Sequence, residues 1–445
     1  MFKAAVLLTL CRPPGEQSAG APSPTMPIAR VVDDEMLIAG RAYPSEATVA
    51  VVSRQHGRRI IVVALWVLLL LAALVIRLRT FSALEVGLDG ALSMDLARSP
   101  VADMLRFNAL DVHPPLFYLA LKAWMLVAGA DYYQAKYLAI VWSILGAVLL
   151  GGVATRFWSP GAGLLSGLLL ILSPTNVLLG TTVRDFAPGL ALSLLCLVLS
   201  LELREEGAWS SRARATILLG AFAAATGAAL LTWYFHAAFF LVTLWLAVTL
   251  RRPRRQLSVG ALAIGVVAAL PWYVYAVPAL LGKVQRGTTA FGGAPRLPSV
   301  ASLLDALAHG VTGQNGPGWS VVTLGVWLGL GVLGALSWRG KRSRRVTANE
   351  TIPGRLPHRL ALGVAAGGLA FGALEIAGLV ARWNAPEDSS RYALVLVPFA
   401  ALLQAGAASS PRRVVRMCGL AGMLCLLAWN EASFVRLVAG TPIDW

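Results

Sequence analysis

Apolar runs of membrane-spanning length recur from residue 60 to residue 430, separated by short segments in which arginine is concentrated. A helix needs about 20 apolar residues to cross the hydrocarbon of a bilayer, and it satisfies its backbone N–H and C=O groups internally. A chain with this pattern folds as an all-α polytopic membrane protein. Composition agrees: 57% of the 445 residues are hydrophobic and 13% are charged, against about 25% charged in an ordinary soluble domain. A soluble enzyme and a disordered protein are both excluded.

The expected spans lie near 60–76, 133–154, 161–179, 186–203, 215–232, 235–250, 257–277, 319–338, 358–380, 392–409 and 414–430, about 11 in all. Basic residues mark the cytoplasmic side of such spans. Arg54, Arg58 and Arg59 precede the first span, and Arg156, Arg204, Arg212, Arg214, the cluster Arg251 to Arg255, Arg339 to Arg345, Arg412 and Arg413 fall in alternate loops. The net charge of +16 therefore reads as topology and not as nucleic-acid binding. This reading gives a disordered cytoplasmic tail over 1–55, a transmembrane domain over 56–430, a first outer loop at 79–132, a second outer segment at 278–318 and a short outer tail at 431–445. Cys11, Cys196, Cys418 and Cys425 show neither metal-ligand spacing nor a disulfide framework.

Residues 115–129, PLFYLALKAWMLVAG, are apolar but short. Counting them as a span would reverse every later loop and place the basic clusters outside. They read instead as an interfacial helix, with Lys122 and Trp124 at headgroup level. A second amphipathic piece is expected at 91–107, with Asp95 and Asp103 on its wet face. A loop of this length folded onto the membrane is usually functional. The second outer segment, with a helical pattern near 299–309, suits a lid.

Several polar residues would gather on the outer face: Asp89, Asp111, His113, Arg184, Asp185, His236, Arg382, Glu387, Asp388 and Arg391. Polar groups near membrane depth are costly and mark function. Such a set suits group transfer from a lipid phosphate. A carboxylate can deprotonate an acceptor hydroxyl, while Arg and His offset the charge growing on a phosphate leaving group. Trp158, Trp272, Trp319 and Trp383 near span ends read as interface anchors. Glu375, inside the span 358–380, reads as a helix–helix hydrogen-bonding group.

The motif DVHPPL followed by an aromatic-rich helix resembles the first outer loop of protein O-mannosyltransferases and their bacterial relatives. These belong to the GT-C superfamily of polyprenyl-phosphate-sugar glycosyltransferases. GLDGALS, SPTNVLLGTTVRDFAPGLAL, LTWYFHAAFFL and EDSSRYALVLVPFAALLQAG follow the family's order over about 60–410. The resemblance implies a GT-C fold with interfacial helices in the first outer loop. It implies Asp89 as general base and Asp185 as a second acidic residue at the site. His113, Arg184, Arg391, His236 and Lys122 become candidates for binding the donor phosphate. Gly90 stands where the family often has a second acid. A divalent cation is compatible with this set, with Asp111 and Asp185 as candidate ligands, since hard cations take carboxylate oxygens.

The implied partners are a polyprenyl-phosphate-linked sugar donor, a hydroxyl acceptor (glycan, lipid or protein) and the bilayer. The implied reaction inverts the anomeric centre by direct displacement. The short cytoplasmic loops leave no room for a nucleotide-binding domain. The abundance of Ala, Gly, Arg and Leu points to a high-GC bacterium, with the protein in the inner membrane, its N-terminus cytoplasmic and its site extracytoplasmic. Two other readings stand beside this one. A secondary transporter or lipid flippase would need paired carboxylates within spans and broken helices in related halves. A non-catalytic relative of the fold is the other, kept open by Gly90.

Overall fold

The first long helix, α1 (Glu46–Phe81), starts inside the segment expected to be a disordered tail, so the boundary near residue 55 falls within a helix. It comes from a computed structural model that describes residues 46–81, 87–111, 113–285, 325, 329, 358–383, 394–410 and 412–424. Most of the membrane-length stretch of α1 is left uncovered: Ile61, Leu65, Leu68, Leu71, Val75 and Leu78 are all exposed. An apolar face with nothing on it suits lipid. On its other side the helix is docked, in part by Trp66: the buried indole occupies the space that side chains at Gly151 and Gly167 would need. Small residues let an aromatic ring and a helix backbone approach closely, and in lipid such packing drives helix association.

Three short helices follow: α2 (Leu88–Arg98), α3 (Val101–Ala109) and α4 (Leu116–Ala128). The sequence led us to expect one amphipathic piece over 91–107. Two form because Pro100 has no N–H to continue α2 and sits at the N-cap of α3 instead. With 13 residues, α4 is about 20 Å long at 1.5 Å per residue, well short of a bilayer's hydrocarbon core. Met94, Leu96, Met104, Phe117, Tyr118 and Leu121 form a small core of their own with Ala135 and Val183. Asp95–Arg98 and Asp103–Arg106 pair on the exposed side, as expected for the wet face.

The main bundle begins with α5 (Tyr132–Phe157). The expected span 161–179 is broken into α6 (Pro160–Ile171) and α7 (Pro174–Leu179). Pro174 again explains the break: it lacks the N–H that would continue α6 and disfavours a helical conformation at Ser173. Next come α8 (Phe186–Glu202), a 3₁₀ turn at Glu206–Trp209, α9 (Arg212–Leu230), α10 (His236–Val248) and α11 (Arg254–Gln285). The end of α11 runs past residue 277 into the second outer segment, most of whose remainder lies outside the described residues. The expected span 319–338 also lies outside them, apart from Gly325 and Gly329, which are helical. Then follow α12 (His358–Trp383) and α13 (Val397–Ala408), which starts later than expected because Pro398 takes a first-turn position. The last described helix covers 413–424.

Residues from α5, α6, α8, α10, α12 and α13 build the principal core, with Phe239 stacked on Phe399 at 4.6 Å between ring centroids. Among the described residues four helices are long and apolar enough to cross a membrane by length and composition: Ile60–Arg79, Tyr132–Phe157, Arg212–Leu230 and Arg254–Ala279. Shorter apolar helices fill the bundle between them. At one end, where α5 and α8 finish, Glu202 accepts from both Arg156 and Arg214, the latter at 3.0 Å. Arg204 donates to the Leu246 carbonyl at 2.6 Å. The basic residues that mark this end are thus tied into it. The other end, where α5 and α8 begin, faces α2, α3 and α4.

Candidate active site

Two loops bring the polar residues together. The first contains His113, Pro114 and Pro115 and leads into α4. Proline suits this position, because the first N–H groups of a helix have no intrahelical partner to lose. The Leu116 N–H finds an acceptor outside the helix, the Leu231 carbonyl beyond α9, at 2.9 Å. This bond fixes the His-Pro-Pro loop to the main bundle. The second loop, 180–185, joins α7 to α8 and carries Arg184 and Asp185. Val183 of this loop is buried in the small core under α2 and α4.

Asp89 sits in the first turn of α2, next to the buried loop 180–185. The Arg184 guanidinium donates to Asp89 Oδ1 at 2.6 Å and to the Tyr118 hydroxyl at 3.0 Å. His113 Nδ1 lies 3.1 Å from Asp185 Oδ2. The Asp89 side chain is 38% exposed and the Arg184 side chain 6%, so the carboxylate opens outward from a buried cation. Burial works against the Arg184 charge, but the Tyr118 hydroxyl and the Asp89 carboxylate more than offset it, and the guanidinium stays charged. Burial also pushes the Tyr118 phenol well above its ordinary range. Its oxygen accepts from Arg184, leaving its hydrogen to donate elsewhere.

Asp185 is fully buried. Among the described residues no partner reaches its Oδ1, nor the Arg184 Nε, and both are shielded from solvent. A buried polar atom without a partner costs about 1–3 kcal/mol, and more for a charged group. Such atoms are rare unless something binds them. Asp111 faces the same region: its carboxylate is close enough to raise the pKa of Tyr118 and of Tyr234, for each of which burial is the larger cause. The Trp272 indole N–H donates to the Tyr234 hydroxyl at 3.3 Å.

Of the residues singled out from sequence, the structure therefore brings Asp89, His113, Arg184 and Asp185 together, with Asp111 beside them. Two stand apart. Lys122 donates to the Ala97 carbonyl at 3.0 Å and the Ser99 carbonyl at 2.8 Å, pinning α4 to the end of α2. His236 is fully buried between α8 and α10, with Nδ1 2.9 Å from Ser193 Oγ. Arg391 lies outside the described residues, as do Glu387 and Asp388. For a divalent cation, no group of three or more His, Cys, Asp or Glu side chains that could hold one occurs among the described residues. Asp111 and Asp185 are not part of such a group. Tyr118 was missed from sequence because it lies in an apolar run; its spacing from the His-Pro-Pro motif, on the same short helix, was the available signal.

At Gly90 the structure answers a question the sequence raised. A Cβ there would stand 2.5 Å from the Tyr132 hydroxyl and 2.8 Å from its ring. The space that a second acid would enter is filled by the first residue of α5.

No family model matches this sequence, and no curated protein matches it. Solved structures do. ArnT from Cupriavidus metallidurans bound to undecaprenyl phosphate aligns over 84% of this chain and 69% of its own, with 17% identity and a TM-score of 0.55. The same protein in the apo state aligns over 84% and 76%, with 14% identity and a TM-score of 0.50. The all-helical bundle, with short helices packed over one end, shares the fold of these structures. ArnT is one protein whose solved structure it resembles.

Proposed function

We propose that the chain is a membrane glycosyltransferase that moves a sugar from a polyprenyl-phosphate donor to a hydroxyl acceptor. The observation that carries this reading is the contact of Asp89, Arg184 and Tyr118 at the end of a GT-C bundle where short amphipathic helices meet the spans. ArnT, of similar fold, has been solved bound to undecaprenyl phosphate, which supports a lipid phosphate as the donor's leaving group. In the proposed step the acceptor oxygen attacks the anomeric carbon while the bond from that carbon to the phosphate oxygen breaks. The acceptor proton passes to Asp89, and the bonding electron pair leaves with the lipid phosphate. Arg184 stabilises that charge, helped by the Tyr118 hydroxyl and by His113. Attack opposite the leaving group inverts the anomeric centre. Arg391 is assigned to the same phosphate. The acceptor docks between the outer segments 79–132 and 278–318.

In this reading the protein sits in the inner membrane with a cytoplasmic N-terminus and an extracytoplasmic site. The loops crowded with arginine are the cytoplasmic ones. The test is direct. Purified protein in nanodiscs is given a panel of polyprenyl-phosphate sugars, and release of polyprenyl phosphate is followed. Turnover with one donor supports the reading. Absence of both turnover and binding across the panel overturns it.

A further inference from the structure

Arg77 lies just beyond the first expected span, where an arginine ordinarily reads as an interfacial anchor with its charge in water. Here its side chain is completely buried. Taking a guanidinium out of water is costly, and the cost is met only by well-placed partners. Its Nε and one terminal nitrogen donate to Ser143 Oγ of α5 at 3.1 and 2.7 Å, and the other terminal nitrogen donates to the Ala73 carbonyl at 3.3 Å.

Those bonds give the next ones a direction. Ser143 Oγ accepts twice from Arg77, so its own hydrogen is free to point to Asn176 Oδ1, at 3.4 Å. With Oδ1 accepting, the Asn176 Nδ2 donates to the Leu170 carbonyl at 2.8 Å, in the last turn of α6. The chain Arg77, Ser143, Asn176 thus bridges α1, α5 and the break between α6 and α7. Gly180, which opens the loop carrying Arg184 and Asp185, is pressed against the same group. A side chain there would collide with Ser143 Oγ and lie 2.5 Å from the Asn176 carbonyl. From Gly180 the loop is held by Thr181 and Thr182 hydroxyls bonded to the Leu178 carbonyl, each at 2.9 Å. It ends at the His113–Asp185 contact.

We propose that Arg77 is a positioning residue for the site: through Ser143 and Asn176 it fixes where the loop 180–185 leaves the bundle, and so where Arg184 and Asp185 stand. Its importance for donor chemistry rests on the reading given under Proposed function; its effect on the loop does not. The experiment therefore reads the loop first. Hydrogen–deuterium exchange is measured on the full chain in nanodiscs for wild type, Arg77→Gln, Ser143→Ala and Arg77→Lys. In the first two variants the amides of 181–185 exchange about tenfold faster, while those of α9 and α10 stay within about twofold of wild type. Arg77→Lys, which keeps the charge and a donor for Ser143, returns the loop to within about threefold. Unchanged exchange at 181–185, or equal acceleration across α9 and α10, overturns the inference. Ser143→Ala decides the matter if Arg77→Gln does not fold.

A second readout is binding of undecaprenyl phosphate. It weakens about tenfold in Arg77→Gln and recovers in Arg77→Lys, as small displacements of a phosphate-binding group do. If wild type itself fails to bind this probe, the proposed donor is wrong, and the exchange result still judges the role of Arg77.

Discussion

Arg184 reaches Asp89 across 2.6 Å while its second amino group holds the Tyr118 hydroxyl at 3.0 Å. A buried guanidinium is thus shared between the carboxylate assigned to the acceptor and a phenol near the assigned phosphate position. Replacing Arg184 by lysine keeps the charge but loses the planar fork that serves two partners at once. Donor kcat/KM in Arg184→Lys is expected to fall about 100-fold, the scale of losing one transition-state donor. Steady-state kinetics with the active donor check this, and a fall of less than about threefold would remove Arg184 from the phosphate site.

Histidines separate the site from its surroundings. His113 contacts Asp185, whereas His236 contacts Ser193 inside the bundle. His113→Ala is expected to lower turnover about tenfold or more, on the scale of lost general acid–base or leaving-group assistance. His236→Ala should lower the thermal midpoint while turnover stays within about twofold. Paired kinetics and melting curves on the two variants decide it. Loss of turnover in His236→Ala without loss of stability would restore His236 to the donor site.

Tyr132 stands where a side chain at position 90 would go. Gly90→Ala is expected to destabilise the fold by about 1–3 kcal/mol through overpacking, and Gly90→Glu by more. Shortening Tyr132 to alanine in the same molecule should recover part of that loss, a non-additivity that a thermal-melting double-mutant cycle detects. Purely additive effects would show that Tyr132 does not occupy this space.

Trp66 packs α1 against Gly151 and Gly167. Trp66→Ala removes a buried indole and leaves the cleft empty, at a cost of about 3–5 kcal/mol. The midpoint of unfolding in detergent should fall sharply. An unchanged midpoint would mean that α1 is held elsewhere.

Much of the architecture was legible because hydrophobic length is a strong signal. The runs that became α1, α5, α9 and α11 could hardly be anything other than long helices. The short helix at 116–128 was legible for the opposite reason, since it was too short to span and its inclusion would have reversed the charge pattern. The breaks at Pro100 and Pro174 were visible as residues but were smoothed over by apolar periodicity on either side. Within the site, Asp89, His113, Arg184 and Asp185 announced themselves as polar groups flanking apolar runs. Their pairing did not, because the Arg184–Asp89 contact joins residues 95 positions apart. Tyr118 was hidden by its apolar neighbours, and Arg77 by its resemblance to an interfacial anchor. Lys122 and His236 have side chains suited to phosphate but are engaged by the carbonyls and hydroxyl that local packing placed beside them.

The central claim is that Asp89 takes the acceptor proton, and Asp89→Asn tests it most directly. Asparagine keeps the shape and can still accept from Arg184, so the fold and donor binding should persist. Release of polyprenyl phosphate from the donor that wild type uses is measured alongside binding of undecaprenyl phosphate. The expected result is turnover lowered by about 10²–10⁴, the usual worth of a general base, with lipid-phosphate binding within about threefold of wild type. Turnover equal to wild type would contradict the claim and move the base to Asp111 or Asp185.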